Sequence, residues 1–318
     1  MWSLFLALAL TFVSPQEPVE TLPAVELRRN WPEQGSVAVV ETRGRLDGSY
    51  TLAYRLAWGP TTDGRVRLRC ESPALTLIDG ISADSPQVNI ARRQREPQLL
   101  VLCDFEVDAQ GAFVQVLELD AAVQRALESC VRRKVISLAE ADRLRVQLLD
   151  PRNRFALVKP MRDLWEQWSG AWHGRTVRAG AGERVELQLP IGADNTPSPA
   201  TRTWTLVSHT PEELCVRLTT LQEGDEFTRI VQNISNAPLP PEKHRTILSC
   251  RREVTTEAVF ADGLRLLRYN HTTQARTQYE GEQDPRLEQE SRSFVVDWTP
   301  LPMGPAPTES QPHEKQPK

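Results

Sequence analysis

The chain lacks the local signatures of the common catalytic and cofactor-binding sites. It has no G-x-S-x-G nucleophile motif, no phosphate-binding P-loop and no G-x-G-x-x-G dinucleotide motif. Its five histidines (His173, His209, His244, His271 and His313) show no H-E-x-x-H spacing, so no metal site is predicted. The sequence therefore predicts no cofactor and no local catalytic centre.

Clusters of positive charge are also missing. Lysine and arginine total 38 residues against 42 aspartates and glutamates, and no basic block stands out. Proteins that bind nucleic acid depend on clustered lysine and arginine to neutralise phosphates. The even charge pattern therefore argues against a nucleic-acid partner.

No apolar run is long enough to predict a transmembrane span. The longest is residues 2–13, which has the length of the hydrophobic region of a signal peptide. We therefore expect a signal peptide at residues 1–14, although no lysine or arginine precedes the run; a buried N-terminal strand is the alternative. The proline-rich residues 15–35 predict a linker, and the polar residues 300–318 predict a disordered tail. The expected location is periplasmic or extracellular.

Cysteine is scarce, with five residues and no C-x-x-C pair of the kind that redox and zinc sites use. An exported protein meets oxidising conditions, in which disulfide bonds persist. Cys70 and Cys103 lie in strand-like runs of the first half, and Cys215 and Cys250 lie in those of the second. We expect one bridge within each half and a free Cys130. Five buried thiols without a bridge are the alternative.

Turn signals and alternating apolar residues dominate the chain and predict strands. Strand-like runs occur in residues 36–119 and, almost without interruption, in residues 175–299, where 226–234 is one of them. Two long runs, 246–260 and 264–278, flank an Ala-Asp-Gly turn and predict a hairpin about 45 Å long.

The middle of the chain, residues 120–172, predicts helices. Asp120 is expected as the N-cap of the first, and Ser137 with Glu140 as the capping box of the second. Pro160 suits the first turn of a third helix, and Gly170 suits its end.

These elements predict an α+β fold that is predominantly antiparallel β. One large curved sheet or open half-barrel, spanning residues 36–299, would carry the mid-chain helices on one face. Two related β units, about 36–119 and 175–299, are an open alternative.

Residues 160–174 hold three of the eight tryptophans, Trp165, Trp168 and Trp172. Their spacing places them on one face of a helix. Such an aromatic stripe usually packs as core. The alternative is an aromatic-lined pocket for an apolar ligand, with His173 as a polar contact.

The run 264–278 has one polar end, in which Tyr269 and His271 share a face. Polar strand faces can line a binding cavity or form the solvated outer face of a sheet. Tyr269 and His271 therefore join the candidate ligand-binding residues.

The function that these features favour is a non-enzymatic exported protein that binds a hydrophobic ligand or an envelope partner in a curved sheet. A structural or envelope-assembly protein, working through its surface and sheet edge, is the first alternative. The second is a hydrolase, which would need residues that converge from separate strands.

Overall fold

The structure is a computed structural model. It describes residues 24–298 except 46–47, 62, 110, 181 and 193–195, and it does not describe the side chain of Phe155. The predicted signal peptide and C-terminal tail lie outside the described residues.

Twelve strands form one open antiparallel sheet, in the order β7-β6-β4-β3-β2-β14-β13-β12-β11-β10-β9, with β5 beside β4. A separate two-stranded sheet pairs β1 with β8. The strands are β1 Ala24–Glu26, β2 Gly35–Arg45, β3 Gly48–Pro60, β4 Val66–Ile78, β5 Ile81–Ser82, β6 Asp104–Val107, β7 Phe113–Leu117, β8 Thr176–Arg178, β9 Glu183–Ile191, β10 Thr196–His209, β11 Leu214–Gln222, β12 Ile247–Ala261, β13 Arg265–Tyr279 and β14 Arg286–Asp297. The predicted fold class is confirmed.

The two ends of the β-rich region meet in the middle of the sheet, because β14 pairs with β2 from Asp297↔Ala38 to Glu290↔Arg45. Strands β2 to β7 therefore form one half of the sheet, and strands β9 to β14 form the other. The predicted long hairpin is confirmed as β12 and β13, fifteen residues each. Whether the two segments are related stays a prediction.

Five α-helices accompany the sheet, and most lie between its two halves in sequence. They are α1 Asn89–Leu99, α2 Leu119–Arg132, α3 Leu138–Leu149, α4 Pro151–Trp165 and α5 Asp225–Asn236, and a π-helical turn, Glu166–Gly170, continues α4. Short 3-10 turns cover Pro86–Val88, Pro241–Lys243 and Asp262–Leu264. The Ser137–Glu140 capping box is confirmed, with both reciprocal hydrogen bonds.

Two helix starts differ from the predictions. Helix α2, predicted with Asp120 as its N-cap, begins at Leu119. Asp120 therefore lies in its first turn, where the helix dipole favours its negative charge, and does not cap it. The tryptophan helix begins at Pro151, where Asp150 accepts from the Arg152 N–H, and Pro160 lies inside it. Pro151 therefore takes the first-turn position that the sequence assigned to Pro160.

The largest correction concerns residues 226–234, predicted as a strand. They belong to α5, whose buried Phe227 and Ile230 lie three residues apart on one helix face. Asp225 and Glu226 stand in its first turn, where negative charge is favourable.

The second half of the predicted linker is part of the fold. Leu27 is 1% exposed, and its N–H donates to the Arg175 carbonyl. The N–H of Asn30 donates to the Gly263 carbonyl, and the Trp31 indole N–H donates to the Leu264 carbonyl at 3.1 Å. Residues 27–31 therefore connect the segment that follows the tryptophan helix to the turn between β12 and β13.

Candidate functional site

The inner face of the sheet changes character along its central strands. Here the inner face is the one that carries the buried residues of β2, β14, β13 and β12. On β14, Val296 and Phe294 are buried and are followed by Arg292; on β2, Val37 and Val39 are buried and are followed by Glu41 and Arg43. Each strand thus passes from apolar to charged residues.

The change falls at the same level on four neighbouring strands. The strand registers pair Thr256 with His271, His271 with Arg292, and Arg292 with Arg43. These four residues, from β12, β13, β14 and β2, are called the charged row below. Glu41 lies one step nearer the core, opposite Phe294.

Glu41 is fully buried and holds two arginines of the charged row. The Nε atoms of Arg43 and Arg292 both donate to its Oε1, the latter at 2.6 Å, and the Tyr54 hydroxyl donates to Oε2 at 3.3 Å. Burial alone would raise the pKa of Glu41, but the guanidinium charges of Arg292 and Arg43 outweigh it and bring the pKa to about 2. Glu41 is therefore ionised at neutral pH.

The charges in this cluster do not balance locally. Two guanidinium groups face one carboxylate, and Arg292 additionally donates to the amide oxygen of Gln167 in the π turn at 2.9 Å. The Nη2 atoms of Arg43 and Arg292 are both buried and have no hydrogen-bond partner among the described residues. A buried donor without a partner carries a free-energy cost that an anionic acceptor would remove.

His271 continues the charged row with neutral polar contacts. Its Nδ1 lies 2.9 Å from the Thr256 hydroxyl and 3.2 Å from the Tyr269 hydroxyl, and its Nε2 lies 3.2 Å from the Thr273 hydroxyl. Burial, with Arg292 and Arg252 nearby, lowers the pKa of His271 to about 4. The imidazole is therefore neutral at pH 7 and can donate from one ring nitrogen.

Beyond the charged row, the inner face of the second half of the sheet carries a mixture of polar and apolar residues that are mostly half-buried. Its residues between the charged row and α5 are called the open strip: Arg202, Thr220, Arg252, Val254, Thr273 and Ala275. The Nε atom of Arg202 is buried and has no hydrogen-bond partner among the described residues. At the far end, α5 covers the buried Ser198, Gln222 and Cys250 of the same face.

The three predicted tryptophans of the helix are core residues. Trp165, Trp168 and Trp172 are each at most 1% exposed. Trp165 and Trp168 contact Trp31, which also contacts Trp58 and Trp298, and Trp172 contacts Phe260. This aromatic cluster fills the end of the inner face opposite the open strip.

The predicted residues thus fall into separate places. Tyr269 and His271 meet at the charged row, whereas the tryptophans fill the core and His173 lies at its margin. The Nδ1 of His173 accepts from the Arg29 backbone N–H at 3.1 Å, which gives His173 a structural contact. Burial and the charges of Arg29 and Arg28 lower its pKa. Whether any of these residues binds a ligand stays a prediction.

The sequence interpretation missed Glu41, Arg43 and Arg292. A signal was present, because on both strands a charged residue takes the next position of an alternating buried series. The register that joins β2 to β14, across 251 residues between Glu41 and Arg292, is not visible in the sequence. Only the pairing of these two strands creates the cluster.

All five cysteines are free thiols in the structure. The predicted Cys215–Cys250 bridge is wrong: Cys215 pairs with Val259, nine residues along β12 from Cys250, which separates them by about 30 Å. Cys70 and Cys103 are buried neighbours: the Cys70 N–H donates to the side chain of Asp104, the residue after Cys103, and Cys103 is among the groups that raise the pKa of Cys70. That bridge stays a prediction.

The described ranges offer no support for a metal site, a transmembrane helix or a histidine–carboxylate pair. No group of three potential metal ligands occurs among those residues. None of the helices there is both long and apolar enough to cross a membrane. The ring nitrogens of His173, His244 and His271 form hydrogen bonds with backbone or hydroxyl groups. The hydrolase alternative thus has no histidine–carboxylate pair to support it in this part of the chain.

Comparison with known proteins gives no family. No protein-family model matches the chain, and no curated protein matches it. One solved structure, described as "lipid-protein interactions in lipovitellin", is similar over 85% of this chain at 8% identity and a TM-score of 0.39. The match spans 26% of that longer chain. A likeness at this level carries no argument about function.

Proposed function

We propose that this protein is a non-enzymatic, exported binding protein that takes an anionic ligand, or an acidic segment of an envelope partner, at the charged row. The observation that carries the proposal is the pair of buried, unpartnered Nη2 atoms on Arg43 and Arg292. Export is supported by the apolar residues 2–13.

An acidic group suits this position for electrostatic reasons. Glu41 neutralises one of the two guanidiniums, and the pair keeps an excess of one positive charge. Arg252 on the open strip adds further positive charge on the same face, whereas the charge of Arg202 is opposed by the nearby Glu166. Guanidinium groups hold carboxylates and phosphates through paired charge-assisted hydrogen bonds.

The position is partly accessible. The side chain of Arg43 is 25% exposed, and His271 and Thr273 are half-buried. A ligand could therefore reach Arg43 from the open strip while the aromatic cluster stays closed. This arrangement favours a polar contact over the apolar pocket that the tryptophan stripe suggested.

The test is anion binding by isothermal titration calorimetry, with inorganic phosphate and hexyl phosphate as probes. We expect phosphate to bind the wild type, and Arg43→Gln to weaken binding at least about tenfold, because a charge-assisted hydrogen bond is lost. Arg45→Gln is the matched control, since Arg45 lies two residues further along β2 and is 65% exposed. Equal affinity in wild type, Arg43→Gln and Arg45→Gln would contradict the proposal.

The alkyl chain of hexyl phosphate tests whether the ligand also has a hydrophobic part, as the sequence predicted. Burying each methylene group contributes about 0.8 kcal/mol, so a chain that enters the protein increases affinity severalfold per carbon. Equal affinities for the two probes would indicate a polar ligand, and a large increase would indicate an amphiphile.

The envelope-assembly alternative rests on the sheet edge. β9 pairs with β10, and no other strand among the described residues pairs with its second edge. Such an edge can accept a strand from a partner, although the charged Glu183, Arg184 and Glu186 and the proline Pro190 make it less adhesive. Protection of the β9 amides from hydrogen exchange in envelope fractions, compared with purified protein, would favour it.

A further inference from the structure

A cavity lies two strands across the sheet from β2, at the point where β4 loses its strand partner. On the β6 side, β4 pairs with β6 only as far as Leu68 and with β5 only from Leu77 onward. Helix α2 and residues 100–104 pass beside this unpaired stretch and border a cavity of about 410 Å³ that is open to solvent on one side. That volume is within the range of small-molecule sites.

The cavity combines an apolar wall with unpaired positive charge. Leu100, Leu102 and Ala126 are buried and supply the apolar part, with Cys70 beside them. Arg125 and Arg132 reach it from one side of α2, seven residues and about two turns apart. Neither arginine has a hydrogen bond or ion pair to a carboxylate among the described residues.

The carboxylates around the cavity are engaged elsewhere. Asp104 accepts from Arg67 at 2.7 Å and from the Cys70 N–H, Glu71 lies between Arg55 and Arg69, and Glu128 accepts from Gln124. Glu128 keeps its negative charge, since Gln124 is neutral, so Arg125 and Arg132 on the same helix leave an excess of one positive charge for a ligand.

We propose that this cavity binds a small organic acid: its apolar body lies against Leu100, Leu102 and Ala126, and its acidic group pairs with Arg125 and Arg132. The site is separate from the charged row, and its existence does not depend on the proposed function.

The test is a fluorescence titration of the full chain with 8-anilinonaphthalene-1-sulfonate, an organic acid with flat apolar rings. We expect one saturable site, with Arg125→Gln and Arg132→Gln each weakening binding about fivefold, the effect of one partly solvated charge-assisted hydrogen bond. Arg145→Gln on α3 is the matched control, because it removes the same charge from an exposed helix position outside the cavity. Arg43→Gln separates this site from the charged row and should leave this titration unchanged.

A volume variant distinguishes a cavity ligand from one held on the surface by charge. Ser129→Leu, at a half-buried position in the cavity wall, should abolish binding while thermal unfolding confirms that the variant is folded. The proposal is overturned if Ser129→Leu binds as the wild type does. It is also overturned if Arg145→Gln weakens binding as much as Arg125→Gln.

Discussion

At the scale of single residues, His271 occupies the point at which the inner face turns from apolar to polar. Its charge changes only in acid, because the pKa of His271 in the folded protein is about 4. Burial opposes its protonation first, and the positive charges of Arg292, Arg252 and Lys159 oppose it further, while Asp163 acts in the opposite direction. The neutral ring instead shares hydroxyl contacts with Thr256, Tyr269 and Thr273.

This arrangement predicts a pH dependence of stability. The pKa of His271 is about 4 in the folded protein, below the ordinary value of 6.5, so the unfolded chain binds the proton more readily. The free energy of unfolding should therefore fall as the pH drops from 6.5 to 4, by about 3 kcal/mol at most from this group. Urea unfolding at several pH values measures it.

The control for this pH effect is a second histidine of the same sheet. His271→Gln should flatten the decrease between pH 6.5 and 4, whereas His209→Gln, at an exposed position at the end of β10, should keep it. Glu41, whose pKa is about 2, contributes its own loss only below its ordinary value of 4.5. An unchanged profile in His271→Gln would contradict the burial argument.

At the scale of elements, α4 and its π turn show that equally buried tryptophans can differ in their hydrogen bonding. The Trp165 indole N–H donates to the Gly111 carbonyl at 2.7 Å, which ties the helix to the loop after β6. The Trp168 indole N–H is buried and has no acceptor among the described residues. Both side chains are 1% exposed, so their apolar contributions are comparable.

Replacement of each tryptophan by phenylalanine should separate these contributions. Trp165→Phe loses ring volume and leaves the Gly111 carbonyl without its donor, whereas Trp168→Phe loses ring volume and removes an unpartnered donor. We expect Trp165→Phe to be the more destabilising by about 1–2 kcal/mol in urea unfolding. Equal losses in the two variants would show that the Gly111 hydrogen bond contributes nothing.

The elements also show which parts of the fold were predictable from sequence. The β12–β13 hairpin was predictable because alternation and a turn with Gly263 at positive φ are local features. α5 was predicted as a strand because Thr228, Ile230 and Val231 are β-branched. The periodicity of Phe227, Ile230, Val231 and Ile234, at helical spacing, overrides that preference once the helix packs on β12.

The candidate site was predictable only in part. Tyr269 and His271 are two residues apart on one strand, so their shared face follows from strand geometry alone. Glu41 and Arg292 come together only through the β2–β14 pairing, whose register depends on the whole sheet. Local patterns therefore identified His271 of the charged row, with Tyr269 beside it, and could not identify Glu41, Arg43 or Arg292.

At the scale of the whole molecule, one sheet joins the two halves of the chain, and the helices between them fill its inner face. Residues 27–31, α4 and the β12–β13 turn meet in the aromatic cluster through Trp31, Trp165 and the Leu264 carbonyl. Distant segments thus share one core, and a cross-link in one half should stabilise the whole molecule.

The cysteines test both the idea that the two halves share one core and the proposed export. Cys70 and Cys103 lie close together, because the Cys70 N–H donates to the side chain of Asp104, the residue after Cys103, and Cys103 is among the groups that raise the pKa of Cys70. In an oxidising compartment we expect this one bridge, so three of the five cysteines would react with a thiol reagent after unfolding. Reducing agent should then lower the free energy of unfolding by about 3 kcal/mol, since the bridge closes a long loop.

Cys103→Ala should abolish that effect of the reducing agent, and Cys250→Ala, near the start of β12, should keep it. Five reactive thiols in protein recovered from the oxidising compartment of its host would contradict the bridge.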